Sequence, residues 1–236
     1  MHLTLSNSED ASGEPSGGKP VRVAIFGGRG AGEITAEIIG RQALPEFRVE
    51  LVGYLNDTIP SGESLLGGAV IGSFDSWRSL GDDIRFAAPL HKATEMSARM
   101  ERFDSLGVPA DRLATLVDPM AVLAPTANLS PGAVVGPFAI VGPSVSLGRL
   151  VSLWPAAQLG HDVHIEDFVF VGRAAIISGY CALACGAYVG PGAVIREGCR
   201  IGRFAVVAAG AMVAKDVPDG AIVAGNPARA VAVPRL

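Results

Sequence analysis

The stretch LGRLVSLWPAAQLGHDVHI (147–165) repeats its chemistry every six residues: Leu147, Leu153, Leu159 and Ile165 are aliphatic, and Val151, Ala157 and Val163 are small. The register extends in both directions. Aliphatic residues recur at every sixth position from Val117 to Val213, giving 17 hexads without a slip, and the residue four places after each is Ala, Val or Cys. A period this short cannot come from helices. It predicts a β-solenoid whose flat sides are joined by tight corners, with the aliphatic residue pointing inward and the small one fitting the narrow corner. Each coil buries its residues only against its neighbours, so several must stack.

The same repeat explains an odd composition. Of 236 residues, 49% are hydrophobic but only 6% aromatic, and 30 are glycine, well above the usual ~7%. Charged residues make up 18% and the net charge is −4, so no basic field invites nucleic acid or acidic lipid. No window approaches the ~18 uninterrupted apolar residues of a membrane span, and the opening residues lack a signal pattern. Cytoplasmic location is the expectation. Three cysteines do not make a disulfide framework. Cys181 and Cys199 fall on the small-residue column, one coil apart, and read as core fillers, whereas Cys185 lies off it and its exposure stays open.

Upstream of the repeat the text changes. Residues 1–20 are polar and rich in Ser and Gly, and read as a flexible tail. Residues 21–116 alternate: VRVAIF (21–26), VELVGYL (49–55) and IRFAAPL (84–90) read as strands, EITAEII (33–39) and TEMSARMERFDSLG (94–107) as helices. Strands alternating with helices predict a small parallel sheet. Gly27, Gly28, Arg29 and Gly30 lie between the first strand and the first helix, where backbone N–H groups can face a phosphate. The run GGRGAG lacks strict GxGxxG spacing, so a plain tight turn remains the alternative.

Three hexads per turn, with coils of 18 residues, is the pattern of the hexapeptide-repeat left-handed parallel β-helix. The hand follows from that resemblance; the right-handed crossover rule alone predicts the opposite. The ending DGAIVAGNPARAV (219–231) is similar to the closing segment of acyl-CoA-dependent hexapeptide acyltransferases. Joined to VAIFGGRGAG (23–32), it resembles the sugar acetyltransferases with a small Rossmann-like amino-terminal domain, a family of nucleotide 4-amino-sugar N-acetyltransferases and sialic acid O-acetyltransferases. The resemblance implies a Rossmann-like nucleotide-sugar domain over 21–116 and an acyltransferase β-helix over 117–236.

It also implies roles. His161, followed by Asp162, matches the catalytic base; a neutral imidazole suits proton removal from an attacking amine. One coil on, the Gly179 N–H would bind the thioester oxygen, although glycine is common at such corners. The pantetheine arm of acetyl-CoA would pass Pro191 and Ala209, and Lys215 and Arg229 would meet the CoA phosphates unless they are simply solvated. Asn56 and Asp57, after the second strand, would hold the nucleotide together with the glycine loop. Three positions depart from the 4-amino-sugar enzymes: Ala31 and Phe170 each replace a His, and Trp154 replaces an Asn. All three lie around the acceptor pocket. The base and the CoA groove therefore carry over while the acceptor's identity does not, and a sugar could stack on the Trp154 indole.

The expected activity is acetyl-CoA-dependent N-acetylation of a nucleotide-linked amino sugar by a homotrimer that needs no metal. O-acetylation of a sugar hydroxyl and a non-catalytic nucleotide-sugar scaffold are the alternatives. A zinc carbonic anhydrase on the same helix requires three histidine ligands, and the repeat holds only His161 and His164, the latter read as a surface residue.

Overall fold

The computed structural model describes residues 19–42 and 49–232; the tail expected at 1–20 falls, apart from Lys19 and Pro20, outside them. Five strands form the amino-terminal sheet: β1 (Val21–Phe26), β2 (Val49–Leu55), β3 (Ser64–Leu65), β4 (Gly68–Gly72) and β5 (Ile84–Ala87), in the order β3-β4-β2-β1-β5. All neighbours are parallel except the β3–β4 hairpin. Val23 to Phe26 are fully buried, which is why the central strand reads as an unbroken apolar run. Helix α1 (Ala31–Gln42) lays Ala36, Ile38 and Ile39 on this sheet, with Glu33 in its first turn and Arg41 in its last, both favoured by the helix dipole.

Element boundaries differ modestly from expectation. β5 stops at Ala87 rather than Leu90, since Pro89 has no N–H to continue a ladder. Helix α2 spans Met96–Ser105, and Gly107, at φ +65°, ends it as the sequence suggested. The β3–β4 hairpin was not expected. Its strands are too short for a period to show, and its approach to β2 depends on Gly53, where a Cβ would stand 2.8 Å from the Ala69 carbonyl oxygen.

From Leu116 the chain winds through three flat faces. Face one carries Leu116–Val117, Val134–Val135, Ser152–Leu153, Phe170–Val171, Tyr188–Val189, Val206–Val207 and Ile222–Ala224. Face two runs from Val122–Leu123 to Met212–Val213, and face three from Asn128–Leu129 to Arg200–Ile201. Strands pair in parallel with the one 18 residues on, as in Ile140↔Gln158↔Ile176, until the last coil, where Val206 pairs with Ile222. The predicted columns are the core: Val141, Leu147, Leu153, Leu159, Ile165 and Val171 are buried with Ala157, Val163, Cys181 and Cys199, and this core contains no aromatic side chain. The exception is Val217. Assigned to the small column by the hexad count, it pairs instead with Ile201, because the last coil is two residues short.

The aromatic residues gather where the two parts meet. Leu150, Phe168 and Phe204 project from the corner between faces three and one, and with Phe170 they join one apolar cluster with Phe26, Trp77, Phe86 and Phe103 of the amino-terminal part. Burying a side chain such as Phe168 stabilises by about 1.5–3 kcal/mol. His91, just after β5, is wedged in this seam. Its Nε2–H donates to the Leu150 carbonyl oxygen at 3.2 Å, and its ring lies 4.7 Å from Phe168 and 5.6 Å from Phe170. Burial drives its pKa down from 6.5 to about 3. A second tie runs from the end of α1, where Arg41 Nε donates to the fully buried Asp118 carboxylate at 2.5 Å and Gln42 bonds the Val117 carbonyl oxygen. Among the described residues no helix is long and apolar enough to cross a membrane.

Candidate active site

His161 sits on the corner between faces two and three, the corner opposite face one. The hexad places it there: Leu159 points inward, the chain turns, and the imidazole two residues later projects outward with half of its side chain exposed. Nδ1 stands 2.9 Å from Asp162 Oδ2. A carboxylate only accepts, so in the neutral ring Nδ1 carries the proton and Nε2 keeps the lone pair. Asp162 reaches its neighbour because its backbone is left-handed, at φ +55°. The Tyr180 ring meets the imidazole edge to face, at 4.8 Å and 86°.

One coil on, Gly179 lies against the imidazole. A Cβ there would stand 2.8 Å from both Cε1 and Nε2, so only glycine fits beneath this ring. Its N–H is the second feature of the corner. On the corner between faces three and one a carboxylate caps the N–H at this hexad place: Asp167 accepts from Arg149 N at 2.7 Å, Glu166 from Cys185 N at 2.8 Å, and Asp219 from Arg203 N at 2.8 Å. Gly179 is buried, and among the described residues its N–H has no hydrogen-bond partner. A buried, unpaired donor beside an imidazole lone pair is a place where an oxygen bearing developing negative charge can bind.

The remaining expected residues fall in three places. Pro191 and Ala209 stack one coil apart on the exposed corner between faces one and two, where Gly210 N donates to the Pro191 carbonyl oxygen at 2.9 Å. Lys215 is exposed on the His161 corner two coils beyond Gly179, and Arg229 is exposed in the closing hairpin. Trp154 and Phe170 are brought together, ring centroids 5.0 Å apart, but on the face-one side, away from His161 of the same chain. Arg173 lies over the indole at 4.6 Å, covering the surface on which a sugar was expected to stack, and Phe170 is in turn stacked on Tyr188 at 4.5 Å.

In the amino-terminal part, Gly27 and Gly30 adopt φ +148° and +78° between β1 and α1. Some of the loop's polar groups already have partners. Gly30 N donates to Glu33 Oε2 at 3.1 Å, and the Arg29 guanidinium pairs with Glu63. Asn56 is a clamp: its Nδ2 donates to the Gly27 carbonyl oxygen at 2.9 Å, while its Oδ1 accepts from the N–H groups of Thr58 and Ile59. Gly28 packs directly on Asn56 and Ile59. Asp57 pairs with Arg102 at 3.0 Å and accepts from Phe74 N at 2.8 Å. Ala31 opens α1.

Cys181 and Cys199 are buried. Cys185 is part-buried, with its Sγ 3.6 Å from Met100 Sδ, and burial pushes its thiol pKa up. The exposed His164 bonds Ser146 Oγ through Nδ1 at 2.6 Å. The sequence reading missed Tyr180, His91 and Arg173. Tyr180 alone left a signal, a bulky residue exactly one coil after Asp162.

No family model matches the chain, and no curated protein matches it. Solved structures do. The acetyltransferase domain of PglB from Neisseria gonorrhoeae, in complex with acetyl coenzyme A, superposes with a TM-score of 0.78 at 28% identity, over 90% of this chain and all of that one. PerB from Caulobacter crescentus, in complex with CoA and GDP-perosamine, gives 0.76 at 22% identity over 89% and 97%. WeeI from Acinetobacter baumannii gives 0.74 at 24% identity over 89% and 99%. The structural neighbours of this chain are thus sugar N-acetyltransferases of the hexapeptide-repeat, β-helical type.

Proposed function

We propose that the chain is an acetyl-CoA-dependent N-acetyltransferase whose acceptor is a nucleotide-linked amino sugar. One observation carries the reading: the Asp162–His161 pair aims an imidazole lone pair at the corner where the Gly179 N–H is buried and unpaired. In this account His161 Nε2 takes the amine proton as the amine attacks the thioester carbon, and Asp162 stabilises the imidazolium that results. The Gly179 N–H stands where charge builds on the thioester oxygen, and His161 returns the proton to the departing CoA sulfur. The acetyl donor is supported by the acetyl-CoA complex of the PglB domain. Its pantetheine arm would run along Pro191 and Ala209, with Lys215 and Arg229 towards the phosphates.

We read residues 21–116 as a Rossmann-like nucleotide-binding domain and 117–236 as the acyltransferase domain. A diphosphate at Gly27, Gly28 and Gly30 would take Arg29 from Glu63 and displace Glu33 from the Gly30 N–H, leaving Asn56 to hold the loop's shape. The amino-terminal domain docks on face one, whereas His161 lies on the opposite corner. A complete site therefore draws on a neighbouring copy. The outward row of face two supports that contact: Val122, Ile140 and Ile176 are 63%, 44% and 38% exposed, in a mostly apolar row interrupted by Gln158 and bordering the His161 corner, and a homotrimer is the assembly we propose. The test is thiol release from acetyl-CoA with a panel of nucleotide-linked amino sugars and free sialic acids. Release only with an amino sugar, giving the amide product, supports the reading. Release only with a sialic acid would replace it with O-acetylation, and release with none would overturn it.

A further inference from the structure

The corner residues of this solenoid share a left-handed backbone. From residue 132 to residue 210, one residue per hexad has φ between +51° and +82°, and glycine takes the place at Gly132, Gly186, Gly192, Gly198 and Gly210. A side chain there costs free energy relative to glycine, which alone adopts this region freely. For Leu150 and Phe168 a compensation is visible: they are buried in one apolar cluster with the amino-terminal domain, and Phe204 packs against that cluster. For Asp162 it is the bond to His161. Tyr180, at φ +58°, has neither, because its side chain is on the opposite corner and the residue is 59% exposed. What it has is the His161 imidazole, met edge to face at 4.8 Å. Phe138, the other exposed aromatic in this backbone place, makes no aromatic contact among the described residues.

We infer that Tyr180 is a positioning residue for the transfer reaction: it holds the His161 imidazole in the orientation that directs Nε2 over Gly179. The proposal rests on His161 being the base. A single hydrogen bond at Nδ1 fixes one point of the ring and leaves its tilt free, and solvent reaches half of the side chain. Tyr180 supplies a second restraint from a different direction. It comes from the next coil, is one coil above Asp162, and its own N–H donates to the His161 carbonyl oxygen at 3.0 Å, tying the two residues' backbones together. Aromatic pairs favour this perpendicular arrangement. A base held within a narrow range of orientations reacts faster without binding its donor more tightly.

Two measurements test this, one of them independent of turnover. In protein carrying 13C-labelled histidine, Tyr180→Gly should move the His161 Cε1 resonance and leave the other histidine signals in place; an unmoved His161 signal overturns the contact. In steady-state kinetics Tyr180→Gly should lower kcat by about tenfold. It should leave the acetyl-CoA KM within about twofold and the melting temperature no lower than that of the parent, glycine being the cheaper residue at this φ. Tyr180→Phe, which keeps the ring, should recover most of the lost kcat. An unchanged kcat in Tyr180→Gly overturns the proposal, as does a loss of kcat accompanied by a lower melting temperature and a raised acetyl-CoA KM. If the parent protein transfers acetyl to no amino sugar, the proposed function fails by itself, and the resonance measurement still decides whether Tyr180 holds the ring.

Discussion

His91 makes the seam between the two parts of the molecule sensitive to acid. In the native chain it is neutral, with its pKa near 3, because the protonated ring has no room for water between Phe168 and Phe170 and faces the positive charge of Arg99. In the unfolded chain it takes a proton below its ordinary value of 6.5. Between those values the unfolded state binds one more proton, so stability falls as pH drops from 6.5 towards 3. The loss is about 1.4 kcal/mol per pH unit, or about 2.7 kcal/mol by about pH 4.5. For a chain of this size that corresponds to a melting temperature lower by about 5–10 °C. Surface carboxylates contribute their own pH dependence, so the informative quantity is a difference. His91→Phe keeps an aromatic ring in the stack and removes the proton site. Melting temperatures of both proteins, measured from about pH 7.5 to 4.5, should converge or cross as pH falls, the variant losing its disadvantage from the unpaired Leu150 carbonyl. Parallel profiles across that range would refute the assignment of a buried neutral imidazole.

Three further outcomes are expected. Gly179→Ala inserts a methyl 2.8 Å from the His161 ring and should lower kcat by about 10²-fold or more while the melting temperature changes little, as kinetics and thermal melts together would show. Asp118→Ala leaves Arg41 and the Met120 N–H without their shared acceptor; with Arg41 free to turn to water, a denaturant titration should show a loss of about 1–3 kcal/mol. Replacing both Ile140 and Ile176 with Glu places charges in the mostly apolar row of face two. Light scattering should then report a smaller species than the parent, and an unchanged mass would remove face two from the interface.

The solenoid was legible because its constraint is repeated: an inward residue misplaced in any hexad exposes an aliphatic side chain. That logic ends where the repeat does, at Val217, where a shortened coil changes the partner without changing the residue type. The β3–β4 hairpin left no trace, since the two-residue β3 has no period, only three of the five residues of β4 are not glycine, and Gly53 matters only for a close approach from elsewhere in the chain. Of the site, the His161 corner followed from the register, and the 18-residue step led to Gly179. What the sequence could not show was that the corner between faces three and one caps the same N–H with Asp or Glu while the buried Gly179 is left without a partner. Nor could it show that Asn56 and Asp57 are engaged in holding their own loop, or that Arg173 covers Trp154. These are contacts between residues distant in sequence, and no local pattern records them.

The role of His161 is tested most directly by His161→Ala, with acetyl transfer to the amino-sugar acceptor and acetyl-CoA binding measured on the same preparation. The account predicts that kcat falls by about 10²–10⁴-fold while acetyl-CoA affinity stays within about twofold, because the imidazole moves a proton and does not hold the donor. Transfer at the parent rate, with binding intact, would contradict it.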